Sequence, residues 1–144
     1  MNICKYRSLY TNEILSIIES KKICNFITTN LDDITITPMW YAFDYNNENF
    51  IFYFINMSDE KNLNELKSND KVCISLENYV LGFYIDAYQS VSAHGRIDFV
   101  NDSNEQKDIL LKFEKRYSHN LQSKNHSTFK YVKVTITNII GRQY

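Results

Sequence analysis

Residues 37–66 read TPMWYAFDYNNENFIFYFINMSDEKNLNEL. The first part contains two runs rich in β-branched and aromatic residues, which favour strands, and the polar cluster DYNNEN between them is typical of a turn. The last part has a capping residue, Ser58 or Asp59, followed by Leu63 and Leu66 at helical spacing. The stretch therefore predicts two strands followed by a short helix with Lys61 in its first turn.

The sequence on both sides extends this pattern. LYTNEILSIIESKK predicts a helix at about 12–21 with Thr11 as its N-cap. A three-strand meander is expected at about 22–56, with the strands ICNFITT, DITITPMWYAFD and NFIFYFIN. KVCISLE predicts another strand after the short helix. VLGFYIDAYQSVSAHGRIDFV indicates one long strand or two, in which Gly95 predicts a bulge or a close backbone approach.

The last third of the chain adds a helix and a final strand. NDSNEQKDILLKFEKRYS predicts a long helix capped by Asp102 or Ser103, and FKYVKVTITNI predicts the last strand. Strands that mostly follow one another directly favour an antiparallel barrel over a parallel α/β sheet. We therefore expect a single domain over residues 1–144, mainly β with peripheral helices (α+β), built as an antiparallel six-stranded barrel.

Composition and charge exclude several classes of protein. Sixteen basic side chains face seventeen acidic ones without a block of either sign, which argues against nucleic acid as a partner. The longest apolar runs, FIFYFI and VLGFYI, are too short to span a bilayer, and the N-terminus lacks the apolar core of a signal peptide. We expect a cytoplasmic protein that binds neither nucleic acid nor membrane.

The cysteines and histidines do not form a metal-site pattern. Cys4, Cys24 and Cys73 are odd in number and lack a CxxC pair, which argues against a disulfide framework or a closed zinc site. His119 and His126 flank a polar loop at a spacing that suits no helix or strand site, so we expect no metal ligands. With three glycines in all, a glycine-rich phosphate loop is excluded.

A phosphate can still be bound at a helix N-terminus that has a basic side chain beside it. Residues 57–62 offer this arrangement through Lys61, and the preceding strand end, Ile55 and Asn56, would lie beside the same pocket. TPMW on the neighbouring strand could place main chain and an indole along a flat aromatic ligand. The alternative is a solvated Lys61 on a short helix, and the residue spacing by itself favours that alternative.

Four segments occur in a distinctive order: PMWYAFD, FIFYFINMSDEKNLNELKSNDKVCISLE, YQSVSAHGRIDFV and FKYVKVTITNIIGR. In this order they resemble the FMN-binding split-barrel superfamily, the pyridoxamine 5'-phosphate oxidase-like group, and within it the short members related to nitroimidazole-resistance proteins. The resemblance extends from about residue 13 to the C-terminus. It implies a split β-barrel domain that binds FMN at the interface of a homodimer.

The resemblance also implies which residues contact the flavin. Lys61 takes the position of the family's phosphate lysine, and Ser90 takes a polar position near the flavin. Arg142 is left open between a contact with the partner subunit's flavin phosphate and an ordinary surface charge. The complete set is Thr37, Pro38, Met39, Trp40, Phe54, Ile55, Asn56, Lys61 and Ser90.

Some positions depart from the larger oxidases of this group. Glu60 stands where a basic residue often precedes the phosphate lysine, and Ile55 stands where threonine is usual. The arginine and tryptophan of the oxidase's C-terminal tail are absent after GRQY. We therefore do not expect oxidation of pyridoxamine phosphate.

The resemblance implies an FMN-dependent oxidoreductase, nitroreductase-like, that reduces a small electron acceptor with electrons from a nicotinamide donor. The alternative is a flavin- or haem-binding module without turnover. His94, beside Gly95 in a predicted strand, is the residue that haem iron would take, although a half-buried structural histidine is the simpler interpretation. No catalytic side chain follows from the sequence.

Overall fold

The computed structural model describes residues 5–30, 32–55, 67, 69–82, 84, 86–118 and 129–144. Within these residues it contains two helices and eight strands. The elements in chain order are β1 (Arg7–Ser8), α1 (Thr11–Ser20), β2 (Ile23–Thr29), β3 (Ile34–Trp40), β4 (Ala42–Asn46), β5 (Asn49–Ile55), β6 (Lys71–Val80), β7 (Ala87–Phe99), α2 (Ser103–Tyr117) and β8 (Tyr131–Gln143).

The strands form one sheet in the order β3-β2-β6-β7-β8-β5-β4, and β1 pairs with β8. Each of these pairings is antiparallel. The two terminal strands follow each other in the chain, since β3 ends at Trp40 and β4 begins at Ala42. The sheet must therefore curl until its two ends meet at Tyr41. We call residues 40–42 the Tyr41 junction.

The predicted class, mainly β with peripheral helices, and the antiparallel split-barrel arrangement are confirmed. The predicted number of six strands is wrong, because the described residues form eight and the sheet is not closed into a barrel. One reason is that the run DITITPMWYAFD, expected to be one strand, divides at Tyr41. Up to Trp40 it pairs with β2, and from Ala42 onward it pairs with β5. The meander at 22–56 accordingly has four strands rather than three.

The inward face of the sheet packs around α1. The helix buries Ile14, Ile17 and Ile18 against the strands, as its predicted apolar face requires. Its N-terminus differs from the prediction, because Thr11 is the first helical residue and Tyr10 is the N-cap. The larger core cluster also contains Leu9, Cys24, Phe26, Tyr41, Phe50, Phe52, Phe54, Val72, Ile74, Leu76, Val91, Ala93, Ile97, Val132 and Val134.

The second helix covers the outer face of β4 and β5. Its predicted cap is confirmed, because the Asp102 carboxylate accepts a hydrogen bond from the Glu105 N–H at 3.2 Å. Its buried side chains form a second cluster with residues of β4, β5 and β8: Ala42, Tyr53, Val100, Ile109, Leu110, Phe113 and Tyr131. This helix therefore covers the outer face of one end of the sheet.

Gly95 lies where the sequence analysis expects a bulge. The register between β7 and β8 shifts between His94 and Gly95. A Cβ atom at position 95 would collide with the carbonyl oxygen of Thr135 and would lie 2.9 Å from Cγ1 of Val134. The predicted bulge and close backbone approach are both confirmed.

Candidate functional site

Four of the predicted flavin contacts lie on the terminal strand β3. Its side chains alternate, so that Pro38 and Trp40 are exposed while Thr37 and Met39 are half-buried, with Met39 packed against the core. The strand is hydrogen-bonded to β2, with Pro38 opposite Asn25. Proline lacks an N–H and is confined to sheet edges, which suits a terminal strand.

Trp40 is the most distinctive side chain of this strand. It pairs with Ile23 on β2, and 55% of its surface is exposed. The ring of Tyr117, the last residue of α2, meets the indole edge to face with 5.0 Å between ring centroids. The end of β3 therefore carries an accessible aromatic surface that a helix supports from one side.

Tyr41, directly after Trp40, is fully buried and ties this corner together. Its hydroxyl donates to the carbonyl oxygens of Ile18 at 2.6 Å and Lys21 at 2.8 Å. Burial raises its pKa, so the phenol stays a neutral donor. The guanidinium of Arg116 lies 4.7 Å from the Tyr41 ring centroid and also donates to the Ile18 carbonyl at 2.9 Å. The C-terminus of α1 is thus bound to the junction by two side chains.

The end of β5 supplies two further predicted residues. Phe54 is completely buried and packs edge to face on Phe26, with 4.9 Å between ring centroids, so it can offer a ligand main-chain atoms alone. Ile55 is half-buried. Both residues pair with β8. Both follow Tyr53 in the chain, and Tyr53 and Ala42 form the last cross-strand pair of β4 and β5 at this end.

The strand registers place the Trp40 indole and the end of β5 close to each other. Trp40 precedes Ala42 by two residues and Ile55 follows Tyr53 by two residues, and Ala42 and Tyr53 form a cross-strand pair. The exposed indole and the end of β5 therefore converge on the Tyr41 junction. Asn56, Lys61 and the predicted helix after Ser58 lie outside the described residues.

Ser90 and Arg142 lie elsewhere on the outward face of the sheet. Ser90 is opposite Glu77 on β6 and opposite Arg142 on β8. It is three strands from Trp40 in the sheet order, about 14 Å at roughly 4.8 Å per strand. The guanidinium of Arg142 lies 4.6 Å from the Tyr6 ring, and its buried Nε has no hydrogen-bond partner among the described residues.

The histidines are partly described. His94 is exposed on β7, opposite Cys73 on β6, whereas the sequence analysis favoured a half-buried side chain. The outward direction follows from strand alternation, because Ala93 and Gly95 on either side face the core. His119, His126 and Cys4 lie outside the described residues.

A groove of about 890 Å³ lies between α2 and strands β4 and β5. At its floor the Tyr53 hydroxyl donates to one oxygen of Asp44 at 2.8 Å, and the Lys112 ammonium is 3.1 Å from the other. Burial and this hydrogen bond raise the pKa of Tyr53. The lining, among the described residues, contains none of the predicted flavin contacts. The groove is therefore distinct from the outward face of β3.

Three residues that shape the site were not singled out from the sequence: Tyr41, Arg116 and Tyr117. Tyr41 is one of many aromatic residues within the predicted strands, and Tyr117 lies near the end of the predicted long helix. The contact between Trp40 and Tyr117 joins two elements far apart in the chain. No local sequence signal indicates such a contact.

A family model described as pyridoxamine 5'-phosphate oxidase matches residues 11–143. No curated protein matches the chain. None of the described helices has the length and apolar character needed to cross a bilayer.

Solved structures resemble nearly the whole chain. A candidate 5-nitroimidazole antibiotic resistance protein from Bacteroides thetaiotaomicron has a TM-score of 0.78 at 21% identity, covering 96% of this chain and 87% of its own. An FAD-binding protein from Mesorhizobium loti has a TM-score of 0.70 at 18% identity, covering 96% and 98%. The flavocytochrome Anf3 from Azotobacter vinelandii has a TM-score of 0.71 at 12% identity, covering 95% and 68%. At these identities the similarity establishes the fold.

Proposed function

The chain belongs to the pyridoxamine 5'-phosphate oxidase family, and on this premise we propose that it is an FMN-dependent oxidoreductase of the cytoplasm. Its substrate would be a small, flat electron acceptor, and its electron donor a nicotinamide. The observation that carries the proposal is the convergence of the exposed Trp40 indole and the end of β5 on the Tyr41 junction.

The residues at the junction suit a flavin. A flavin ring is flat and aromatic, and its edge carries hydrogen-bonding groups. Trp40 offers exposed aromatic surface, and the main chain of Thr37 to Trp40 offers donors and acceptors on the side of β3 that faces away from β2. Lys61, outside the described residues, is the proposed contact of the phosphate, where an ammonium makes a charge-assisted hydrogen bond.

The role of the chain in this proposal is to bind and orient. When bound, FMN supplies the electron transfer, so a side-chain nucleophile is not required. The indole of Trp40 and the neighbouring main chain would shield the ring from water on one side. The distance of Ser90 from Trp40 within one chain leads us to assign Ser90 to the site of a second copy.

A homodimer is part of the proposal. The outward face of β3 and β2 exposes four large apolar side chains: Ile23, Ile34, Ile36 and Trp40. Exposed apolar surface of this kind marks interaction sites in soluble proteins, and closed two-fold dimers are the commonest homo-oligomers. A second copy seated on this face would cover both these residues and a flavin ring.

A haem- or flavin-binding module without turnover is the second candidate. Two observations favour it: the exposed imidazole of His94 on β7, and the fold similarity to a flavocytochrome. The visible spectrum of the purified protein separates a flavin from a haem, and oxidation of a nicotinamide by the flavin-loaded protein separates the oxidoreductase from a flavin-binding module without turnover. Twin flavin bands support FMN and a Soret band supports haem. A colourless protein that also fails to take up added FMN would contradict both.

The sharpest test of the FMN proposal compares Lys61→Ala with Trp40→Ala. Loss of one charge-assisted contact should weaken FMN binding by about ten- to a hundredfold. Riboflavin lacks the phosphate, so its affinity should be unaffected by Lys61→Ala yet reduced by Trp40→Ala. Titration of flavin fluorescence measures all four affinities.

Lys67→Ala is the matched control for this test. Lys67 is an exposed lysine whose ammonium lies 5.9 Å from the ring of Phe99 on β7. Its removal should leave both affinities at the parent value. If Lys61→Ala binds FMN as tightly as the parent does, the phosphate site lies elsewhere.

A further inference from the structure

Trp40 stands at the end of a terminal strand, where strand pairing fixes its backbone but not its indole. More than half of the side chain is exposed. An exposed side chain samples several rotamers unless a neighbour restricts it. The edge-to-face contact with Tyr117, at 5.0 Å and an interplanar angle of 74°, is such a restriction.

The hydroxyl of Tyr117 is itself fixed by backbone groups of the residues that adjoin Trp40 and Ile23. Its hydroxyl oxygen accepts the Tyr41 N–H at 3.1 Å and lies 2.9 Å from the carbonyl oxygen of Lys22, to which it can donate. Tyr41 directly follows β3 and Lys22 directly precedes β2. Both residues lie one position beyond the cross-strand pair of Trp40 with Ile23, at the same end of the β2–β3 ladder. The Tyr117 ring is therefore held in register with the strand ends that carry the indole.

Phe113 on α2 and Lys22, which directly precedes β2, also contact the Tyr117 ring. The ring of Phe113 packs against it with 5.8 Å between centroids, and the Lys22 ammonium lies 5.2 Å from its centroid. Trp40 therefore packs against Tyr117, whose ring and hydroxyl group are both restrained by neighbouring groups.

We propose that Tyr117 is a positioning residue for the flavin, acting through Trp40. The proposal rests on the proposed function above. Tyr117 holds the indole in the orientation in which it covers one side of the flavin ring, so the indole loses little further conformational freedom when the flavin binds. Helix α2, which does not carry any of the predicted flavin contacts, then contributes to flavin affinity through its last residue.

The sequence contains a single tryptophan, so fluorescence of the flavin-free protein, excited at a wavelength that tyrosine does not absorb, reports on Trp40 alone. Tyr117→Leu should increase acrylamide quenching of this emission about twofold, because the indole loses a covering ring. It should also lower the fluorescence anisotropy. Tyr117→Phe keeps the ring but releases it from the backbone, so we expect a smaller change in the same direction.

Leu110→Ala is the matched control. It removes a buried side chain about two turns earlier on the same helix, within the cluster that contains Ala42 and Tyr53. It should lower the free energy of unfolding while leaving Trp40 quenching at the parent value. A role of Tyr117 limited to stability would make Tyr117→Leu behave like this control.

Flavin titration gives the second measurement. Tyr117→Leu should weaken FMN and riboflavin equally, by about three- to tenfold, because the loss acts at the ring rather than at the phosphate. Unchanged quenching and unchanged affinities, in a parent that binds FMN, would overturn the positioning role and leave the proposed function intact. A parent that binds neither flavin would overturn both. If Tyr117→Leu does not fold, parent-like anisotropy and affinity in Tyr117→Phe would overturn the positioning role.

Discussion

Strands β3 and β4 are the two ends of the same sheet, and Tyr41 alone separates them in the chain. Helix α2 covers the outer face of β4 and buries Ala42 against Phe113. The outer face of β3 leaves Ile34 and Ile36 66% and 62% exposed. Helix α2 thus covers the outer face of one end of the sheet, while the outer face of the other end exposes apolar side chains to solvent.

The difference teaches where a partner or ligand is to be expected. Sheet ends that stay uncovered tend to pair or aggregate, and proteins usually cover or charge them. The sequence of β3, ITITPMW, has no charged residue to serve this purpose. We therefore propose that β4 and α2 have a structural role and that β3 is the end of the sheet at which a partner or a ligand binds.

The largest expected effect contrasts a residue from each end. Phe113→Ala should lower the free energy of unfolding by about 3–5 kcal/mol, because it leaves a cavity between α2 and β4. Ile34→Ala, on the exposed face of β3, should change it by less than about 0.5 kcal/mol in dilute protein. Urea unfolding followed by circular dichroism measures both. Similar losses for the two variants would break the contrast.

A medium effect is expected when a charge is placed on β3. Ile36→Lys should weaken the proposed dimer by about ten- to a hundredfold, since burying an ammonium without a partner is costly. Sedimentation velocity over a concentration series measures the dissociation constant. Glu48→Gln, in the exposed turn between β4 and β5, controls for the same gain of one unit of positive charge. Equal dissociation constants for Ile36→Lys and the parent would show that the second copy does not cover β3.

The smallest effect concerns two cysteines on opposite faces of the sheet. Burial raises the pKa of Cys24 to about 12, whereas Cys73 is half-buried on the outward side. Because the thiolate is the reactive form, alkylation of Cys24 should be slow at pH 8 and should accelerate about tenfold per pH unit below that pKa. Cys73 should react faster than Cys24.

The dependence of the two alkylation rates on protein concentration tests the proposed dimer. Cys73 is opposite Ile27 on β2, which is in turn opposite Ile36 on β3, so a second copy that covers Ile36 lies near Cys73. In a Cys4→Ser background, iodoacetamide labelling read by mass spectrometry should show that the alkylation of Cys73 slows severalfold when the protein is concentrated enough to dimerise. Cys24 should not respond to concentration, because its own sheet already covers it. A Cys73 rate independent of concentration would place the second copy on another surface.

Much of the fold could be predicted from the sequence because its signals are local. Alternation of apolar and polar residues gave the strands, and the Asp102 cap marked the start of α2. The division of one predicted strand at Tyr41 was missed, because it depends on pairing with two partners at opposite ends of the sheet. The number of strands is therefore a non-local property.

The candidate site divides in the same way. Trp40 and Ile55 were found through a resemblance carried by segments, and the structure brings them to one junction. The support from Tyr117 was not predictable, since it depends on where α2 ends relative to β3. The role of Lys61 stays a prediction that the variants above test.

The position of β8 has a consequence for the synthesis of the protein. This last strand lies between β7 and β5, and it also pairs with β1, joining Arg7 to Gln143 across 136 residues. The middle of the sheet cannot assemble on the ribosome until Tyr131–Gln143 has emerged. Until then β5 and β7 expose unpaired edges, and such late, non-local pairing makes folding slow and a nascent chain dependent on protection from aggregation. We expect the domain to complete its folding only after Tyr131–Gln143 has left the ribosome.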